Sequence, residues 1–157
     1  MPGFDALYKQ TVTLFNRIVL VTGEILWRPT VLEKVHLIIG KSDSWSSYGD
    51  SAMDTITLHV RYTVKDGKAY IGDKIYYEPK EFRRLNCPEN GITFAYGGSE
   101  VCDFFMEGVF GNSMTFADDS YERLGFYNYM NKQYDNVFAI QQVSRFNLIP
   151  HFEIMAR

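Results

Sequence analysis

The sequence predicts a mainly β protein, a small β-barrel or β-sandwich with two short helices and a long Ser-rich loop. Short apolar or alternating runs recur along the chain and are separated by Gly, Pro, Asp and Ser turn signals. The 12 Phe, 11 Tyr and 2 Trp residues supply apolar surface for a core. A length of 157 residues suits one domain, predicted over residues 1–157, with residues 1–10 as an N-terminal arm and residues 41–54 as the loop.

The first elements are predicted to be strands. Residues 11–18 and 24–32 form a hairpin candidate across the turn signal Thr22-Gly23. Pro29 has no amide proton to donate to a ladder, so the second arm is expected to be an edge strand or to break there. Residues 35–39 are typical of a short buried strand that ends at Gly40.

The clearest pattern in the chain covers residues 55–62, where apolar and polar side chains alternate strictly. This alternation predicts a strand with one packed face and one polar face. The dipeptide Asp66-Gly67 predicts a tight hairpin turn, and residues 73–77 predict a further short strand. A helix of one or two turns is expected within residues 76–85, with Pro79 in its first turn.

In the second half, residues 92–96 and 101–110 are expected to form two strands joined across residues 97–99. Residues 118–130 begin with capping residues and predict a second short helix. Residues 137–146 and 151–155 predict the last two strands. Seven to nine strands and two helices are therefore expected.

The charge and cysteine content excludes several classes of protein. A net charge of −3 gives no basic footprint for autonomous nucleic-acid binding. Cys87 and Cys102 show neither metal-ligand spacing nor a disulfide framework, so both are expected to be free thiols. No signal sequence or membrane span is predicted, which favours function in a cytoplasm or in a particle assembled there.

The sequence shows no persuasive catalytic or cofactor site. His36, His59 and His151 are spread along the chain without metal-ligand spacing, and we expect them not to form a metal site. No cofactor and no enzymatic activity are predicted. An alternative class is a small β-barrel enzyme or ligand-binding protein, for which His59 and Arg61 on the polar strand face, with Tyr77, are the residues to test.

Aromatic and Met side chains also occur in segments that otherwise look exposed. These candidate interface residues are Trp45, Tyr48, Phe110, Met114 and Phe116. They either fold back on the core or dock on another subunit, since interfaces are enriched in such residues.

The order of several motifs resembles a family of small minor structural proteins of tailed bacteriophages. The motifs lie at residues 11–17 (TVTLFNR), 27–31 (WRPTV), 77–82 (YEPKEF), 104–108 (FFMEG), 134–143 (YDNVFAIQQV) and 150–153 (PHFE), with the Ser/Trp loop after the second. The resemblance implies a head-closure (stopper) protein in the head-to-tail connector at the virion neck. A tail terminator or head-tail adaptor of the same virion is the alternative. The resemblance implies no catalytic residues.

The same resemblance implies the partners. They are other copies of this chain in a ring of six or twelve, together with portal or adaptor and tail proteins, with DNA passing nearby and no membrane. Residues 81–157 contain 10 acidic and 6 basic residues, and an acidic surface would repel DNA phosphates. The residues expected on such a channel or inter-ring surface are Glu100, Asp103, Glu107, Asp118 and Asp119.

Overall fold

A computed structural model describes residues 6–40, 55–98 and 100–157. In that part of the chain it contains eleven strands and two helices. The strands are β1 (Gln10–Val19), β2 (Ile25–Gly40), β3 (Thr55–Arg61), β4 (Thr63–Lys65), β5 (Lys68–Ile71), β6 (Lys74–Tyr76), β7 (Gly91–Ile92), β8 (Phe104–Glu107), β9 (Phe116–Ala117), β10 (Val137–Phe146) and β11 (His151–Ala156). The helices are α1 (Pro79–Arg84) and α2 (Phe126–Gln133).

Six strands close into a β-barrel, which confirms the predicted mainly β fold. Their order is β1-β8-β10-β11-β3-β2, and pairing of β2 with β1 closes the circle. Each neighbouring pair is antiparallel. The short strand β9 pairs with the start of β2.

Strand β2 is long because it serves two neighbours in turn. Its first part pairs with β1, and its last residues pair with β3. Between the two parts the register with β1 shifts and Lys34 adopts a φ of 56°, a left-handed conformation that marks a bulge. The bulge is the corner at which β2 passes from one neighbour to the other.

Of the two alternatives expected at Pro29, an edge strand or a break in the strand, the break does not occur, because β2 continues through this residue. Pro29 pairs with Phe15 of β1. On its other side, β9 reaches β2 only at Leu26 and Trp27, and β3 reaches it only from His36 onward. Among the described strands, Pro29 therefore has a ladder on one side, so the edge-like environment that tolerates proline is met locally.

The barrel wall separates two apolar clusters. The inner cluster fills the barrel and includes Leu14, Phe105 and Ile140. The outer cluster lies beneath α2 and includes Phe15 and Phe104. Because successive side chains of a strand point to opposite faces, β1, β8 and the first four residues of β10 are buried on both faces.

A second sheet, β4-β5-β6-β7, is formed within the long connection between β3 and β8. The predicted turn is confirmed, with positive φ at both Asp66 and Gly67. The predicted first helix is also confirmed, and Pro79 is at its first position. The side chain of Phe82 is buried.

Two predictions of the second half are wrong in their bounds. Residues 92–96 do not form one strand of a hairpin, because only Gly91–Ile92 is a strand and it pairs in parallel with β6. The second helix begins at Phe126 instead of near residue 118, since Gly125 at φ 105° interrupts the helical backbone. The predicted loop over residues 41–54 lies outside the described residues.

Candidate functional site

The three histidines of the chain, His36, His59 and His151, lie side by side on the outer face of the barrel, and we call them the histidine row. His36 of β2 pairs directly with His59 of β3, and His59 pairs directly with Glu153 of β11. His151 precedes Glu153 by two residues on the same strand, so both side chains share this face. The ring centroid of His59 is 5.7 Å from that of His36 and 5.8 Å from that of His151.

Three of these side chains have the geometry of a ligand group. One ligand atom each from His59, His151 and Glu153 lies within 4.8 Å of the others, and all three residues are half-buried. Burial lowers the pKa of His59, the nearby Glu153 opposes this, and His151 and His36 lower it further. The neutral imidazole, which can bind a metal, is thereby favoured.

The orientation of His151 is fixed by the backbone. Its Nδ1 lies 2.7 Å from the carbonyl oxygen of Ile149. Because a carbonyl oxygen only accepts hydrogen bonds, Nδ1–H is the donor, and in the neutral imidazole the lone pair is then on Nε2. The ring of Phe146 stacks on the His151 imidazole with a centroid distance of 4.8 Å.

The sequence predicts only that the three histidines form no metal site, and their spacing along the chain does not indicate that strand pairing brings them side by side. The alternation of residues 55–62 does assign His59 and Arg61 to the outer face. The pairing of β3 with β11 and with the end of β2 places the other two histidines beside His59. A local sequence pattern does not predict which distant strands pair. Tyr77, the third residue of the enzyme alternative, directly follows β6 of the small sheet, and its ring lies against Gly91.

The prediction of a surface position is wrong for Asp103, whose side chain is buried. Its Oδ1 accepts a hydrogen bond from the Arg17 amide at 2.8 Å. Its Oδ2 accepts bonds from Asn16 Nδ2 at 3.0 Å and from the Ala95 amide at 2.7 Å. Burial raises the pKa of Asp103 to about 7, against the effect of these donors.

The other four predicted acidic residues do not form one cluster. Glu100 is exposed and pairs with Arg17 at 3.4 Å, while Glu107 accepts a hydrogen bond from Asn136. Asp118 and Asp119 line a shallow pocket beside the β1–β2 turn, together with Glu24.

The predicted interface residues have different environments. Phe110 and Phe116 are half-buried and pack against Phe126 in the outer cluster, with centroid distances of 5.5 and 4.5 Å. Met114 between them is 73% exposed. Trp45 and Tyr48 lie outside the described residues.

Two strand connections expose apolar side chains at the same end of the barrel. We call them the apolar tips: Val19, Leu20 and Val21 at the end of β1, and Leu148 and Ile149 after β10. Strands β1 and β10 both run antiparallel to β8, so they run parallel to each other and their C-terminal ends share one end of the barrel. Val21 and Leu148 are almost fully exposed.

A separate cavity of about 480 Å³ lies where α1 meets the barrel and the small sheet. The guanidinium of Arg145 lies over the Tyr62 ring at 4.9 Å and 3.9 Å from the Glu78 carboxylate. Burial raises the pKa of Tyr76 in its wall. An aromatic floor with charged walls suits a small ligand, although none of its residues belongs to the histidine row.

These features define a mainly β protein built on a closed six-strand barrel, with a histidine row on its outer face and apolar tips at one end. Residues 7–157 match a family of unknown function, DUF6751, and the chain belongs to that family. Comparison with curated proteins gives no match, and comparison with solved structures gives none either. In the described part of the chain, neither helix is long and apolar enough to cross a membrane.

Proposed function

We propose that this protein is a non-enzymatic component of a tailed-bacteriophage virion, a head-closure (stopper) protein that forms a ring in the head-to-tail connector. The ordered motifs described above support the class of protein. The observation that carries the proposal in the structure is the pair of apolar tips at one end of the barrel.

The apolar tips support a contact made along the axis of a ring. Burying an apolar side chain is favourable by about 1.5–3 kcal/mol for a residue such as Val or Leu. Val21 and Leu148 are almost fully exposed, so the isolated chain does not gain this free energy of burial. Because both tips project from the same end of each subunit, a ring of copies would present a circle of them to the next ring of the connector.

The charge near the tips fits a position beside DNA. Glu24, Asp118 and Asp119 lie together next to the β1–β2 turn. Carboxylates near a channel repel phosphates, so DNA would pass without being held.

The decisive experiment restores the gene in a phage that lacks it. We expect Val21→Asp combined with Leu148→Asp to reduce the number of heads joined to tails at least tenfold, because charges would replace apolar contacts at the ring face. Leu124→Asp is the matched control, since Leu124 is 69% exposed but lies before α2. Circular dichroism of the purified variants checks that both fold.

The location is tested separately by electron microscopy of virions labelled with an antibody against this chain. Label at the neck supports the proposal. Label elsewhere, no label on the particle, or normal joining by the double variant would overturn it.

A further inference from the structure

We propose that His59, His151 and Glu153 form a binding site for one divalent transition-metal ion, with Zn²⁺ as the ion that this ligand set suits. The site lies on the outer face of the barrel, where β3 pairs with β11. This inference is independent of the proposed virion role.

The distances allow the three side chains to share one ion. Their ligand atoms lie within 4.8 Å of one another. Around a tetrahedral Zn²⁺ with bonds of about 2.0–2.2 Å, neighbouring ligand atoms are about 3.4 Å apart. The longest separation must therefore shorten by at most about 1.4 Å, which rotation about side-chain bonds supplies.

The backbone beneath the site is rigid because it belongs to the barrel. His59 and Glu153 are direct partners in the β3–β11 ladder, and β11 is paired on its other side with β10. Ligands on paired strands keep their spacing, so binding requires little ordering of the chain. This is the favourable arrangement for a metal site, since rigid elements position ligands more precisely than loops.

The donor set is typical of zinc. Two imidazoles and one carboxylate coordinate Zn²⁺ in sites that leave the fourth position open. The hydrogen bond from His151 Nδ1–H to the Ile149 carbonyl is the outer contact that metal-binding histidines commonly make. It leaves Nε2 as the ligand atom.

The charges around the site permit a cation. Glu153 supplies the negative charge that balances part of the charge of the ion. On the neighbouring strand β3, the positively charged Arg61 pairs directly with His151. The Arg61 guanidinium lies 4.3 Å from the centre of the Tyr8 ring. Its charge is thus engaged by an aromatic face.

The test uses the full-length protein with any histidine tag removed. Co²⁺ is added first, because its visible absorption reports coordination number and ligand type, and Zn²⁺ is then used to displace it. We expect one equivalent of Co²⁺ to give the intense spectrum of a four- or five-coordinate site without a thiolate band. The absence of that band distinguishes the site from binding at Cys87 or Cys102.

Variants then assign the ligands. We expect His151→Gln and Glu153→Gln each to weaken Zn²⁺ binding about 100-fold, since loss of a ligand should cost at least as much as loss of an outer contact. His36→Gln is the matched control, because His36 belongs to the same row but not to the ligand group. Circular dichroism in the presence of a chelator confirms that each variant folds.

The outcomes are distinct. Stoichiometric binding that is lost in both ligand variants and kept in His36→Gln supports the proposal. No stoichiometric binding, a six-coordinate spectrum of loosely held ions, binding unchanged in the ligand variants, or equal loss in His36→Gln would overturn it.

Discussion

Asp103 shows how one buried carboxyl group can replace regular secondary structure. After Ile92 the chain leaves the small sheet, and its amide at Ala95 is bonded to the Asp103 carboxylate instead of to a strand. The same carboxylate holds the Arg17 amide and the Asn16 side chain. Asp103 thereby connects the small sheet to the barrel, which explains why a residue predicted for the surface lies in the interior.

The titration of Asp103 gives a prediction for stability against pH. Burial raises its pKa from 3.8 to about 7 in the folded protein. The folded state therefore binds this proton more tightly than the unfolded chain does, and the stabilisation is complete below about pH 4 and is lost as the pH rises through about 7. Over this range we expect the free energy of unfolding of the wild type to fall by a few kcal/mol relative to Asp103→Asn.

Urea denaturation at a series of pH values measures this effect. Asp103→Asn is the reference because its side-chain amide does not titrate. Its NH₂ group replaces one of the two oxygens that accept from the Arg17 and Ala95 amides, so this variant is less stable overall. Glu107→Gln, an exposed change, should follow the wild-type curve. A constant difference between wild type and Asp103→Asn from pH 4 to pH 7 would contradict the prediction.

Helix α2 is positioned by a residue well before it in the chain. Asp118 Oδ1 accepts hydrogen bonds from the Phe126 amide at 3.1 Å and from Trp27 Nε1 at 2.6 Å. Gly125 allows this close approach, since a Cβ there would lie 3.0 Å from Asp118 Oδ2 and its φ is 105°. One carboxylate thus joins the helix start to the outer apolar cluster beneath it.

The pair Asp118 and Asp119 provides a controlled test of this arrangement. We expect Asp118→Ala to lower the free energy of unfolding by about 2–3 kcal/mol, because it removes a helix cap and leaves the Trp27 N–H without its partner. Asp119→Ala removes the same charge at an exposed position and should change it by less than about 0.5 kcal/mol. Chemical denaturation followed by tryptophan fluorescence measures both, and equal effects would show that charge alone matters.

Stability should be uneven across the molecule as a whole. The strands β1 and β8 and the first four residues of β10 are covered by apolar clusters on both faces. All three residues of β4 are exposed, and among the described strands β4 pairs with β5 alone. The barrel is therefore expected to open last and strand β4 first.

Hydrogen exchange checks this order. We expect the paired amides of β4 to exchange at least about 100-fold faster than those in the centre of β1 and at the start of β10, because no residue of β4 belongs to either cluster. Mass spectrometry or NMR under native conditions gives the rates by segment. Equal protection of β4 and the barrel would mean that the two parts unfold together.

Much of the fold followed from local patterns, since most strands, the Asp66-Gly67 turn and the first helix lie where the sequence predicts them. The errors share a cause. The extent of β2 depends on which neighbours it meets, and the burial of Asp103 depends on the backbone amides that surround it. Both are properties of packing that a linear pattern does not contain.

By itself the sequence determined that the protein is mainly β, because alternation and turn signals act between residues close in the chain. It also marked the outer face of β3 on which His59 lies. Only the tertiary structure decided that Asp103 is buried, that the apolar tips share one end and that three histidines meet. Those outcomes depend on strand pairing between distant segments, whose free energy comes from contacts that exist only once the barrel has closed.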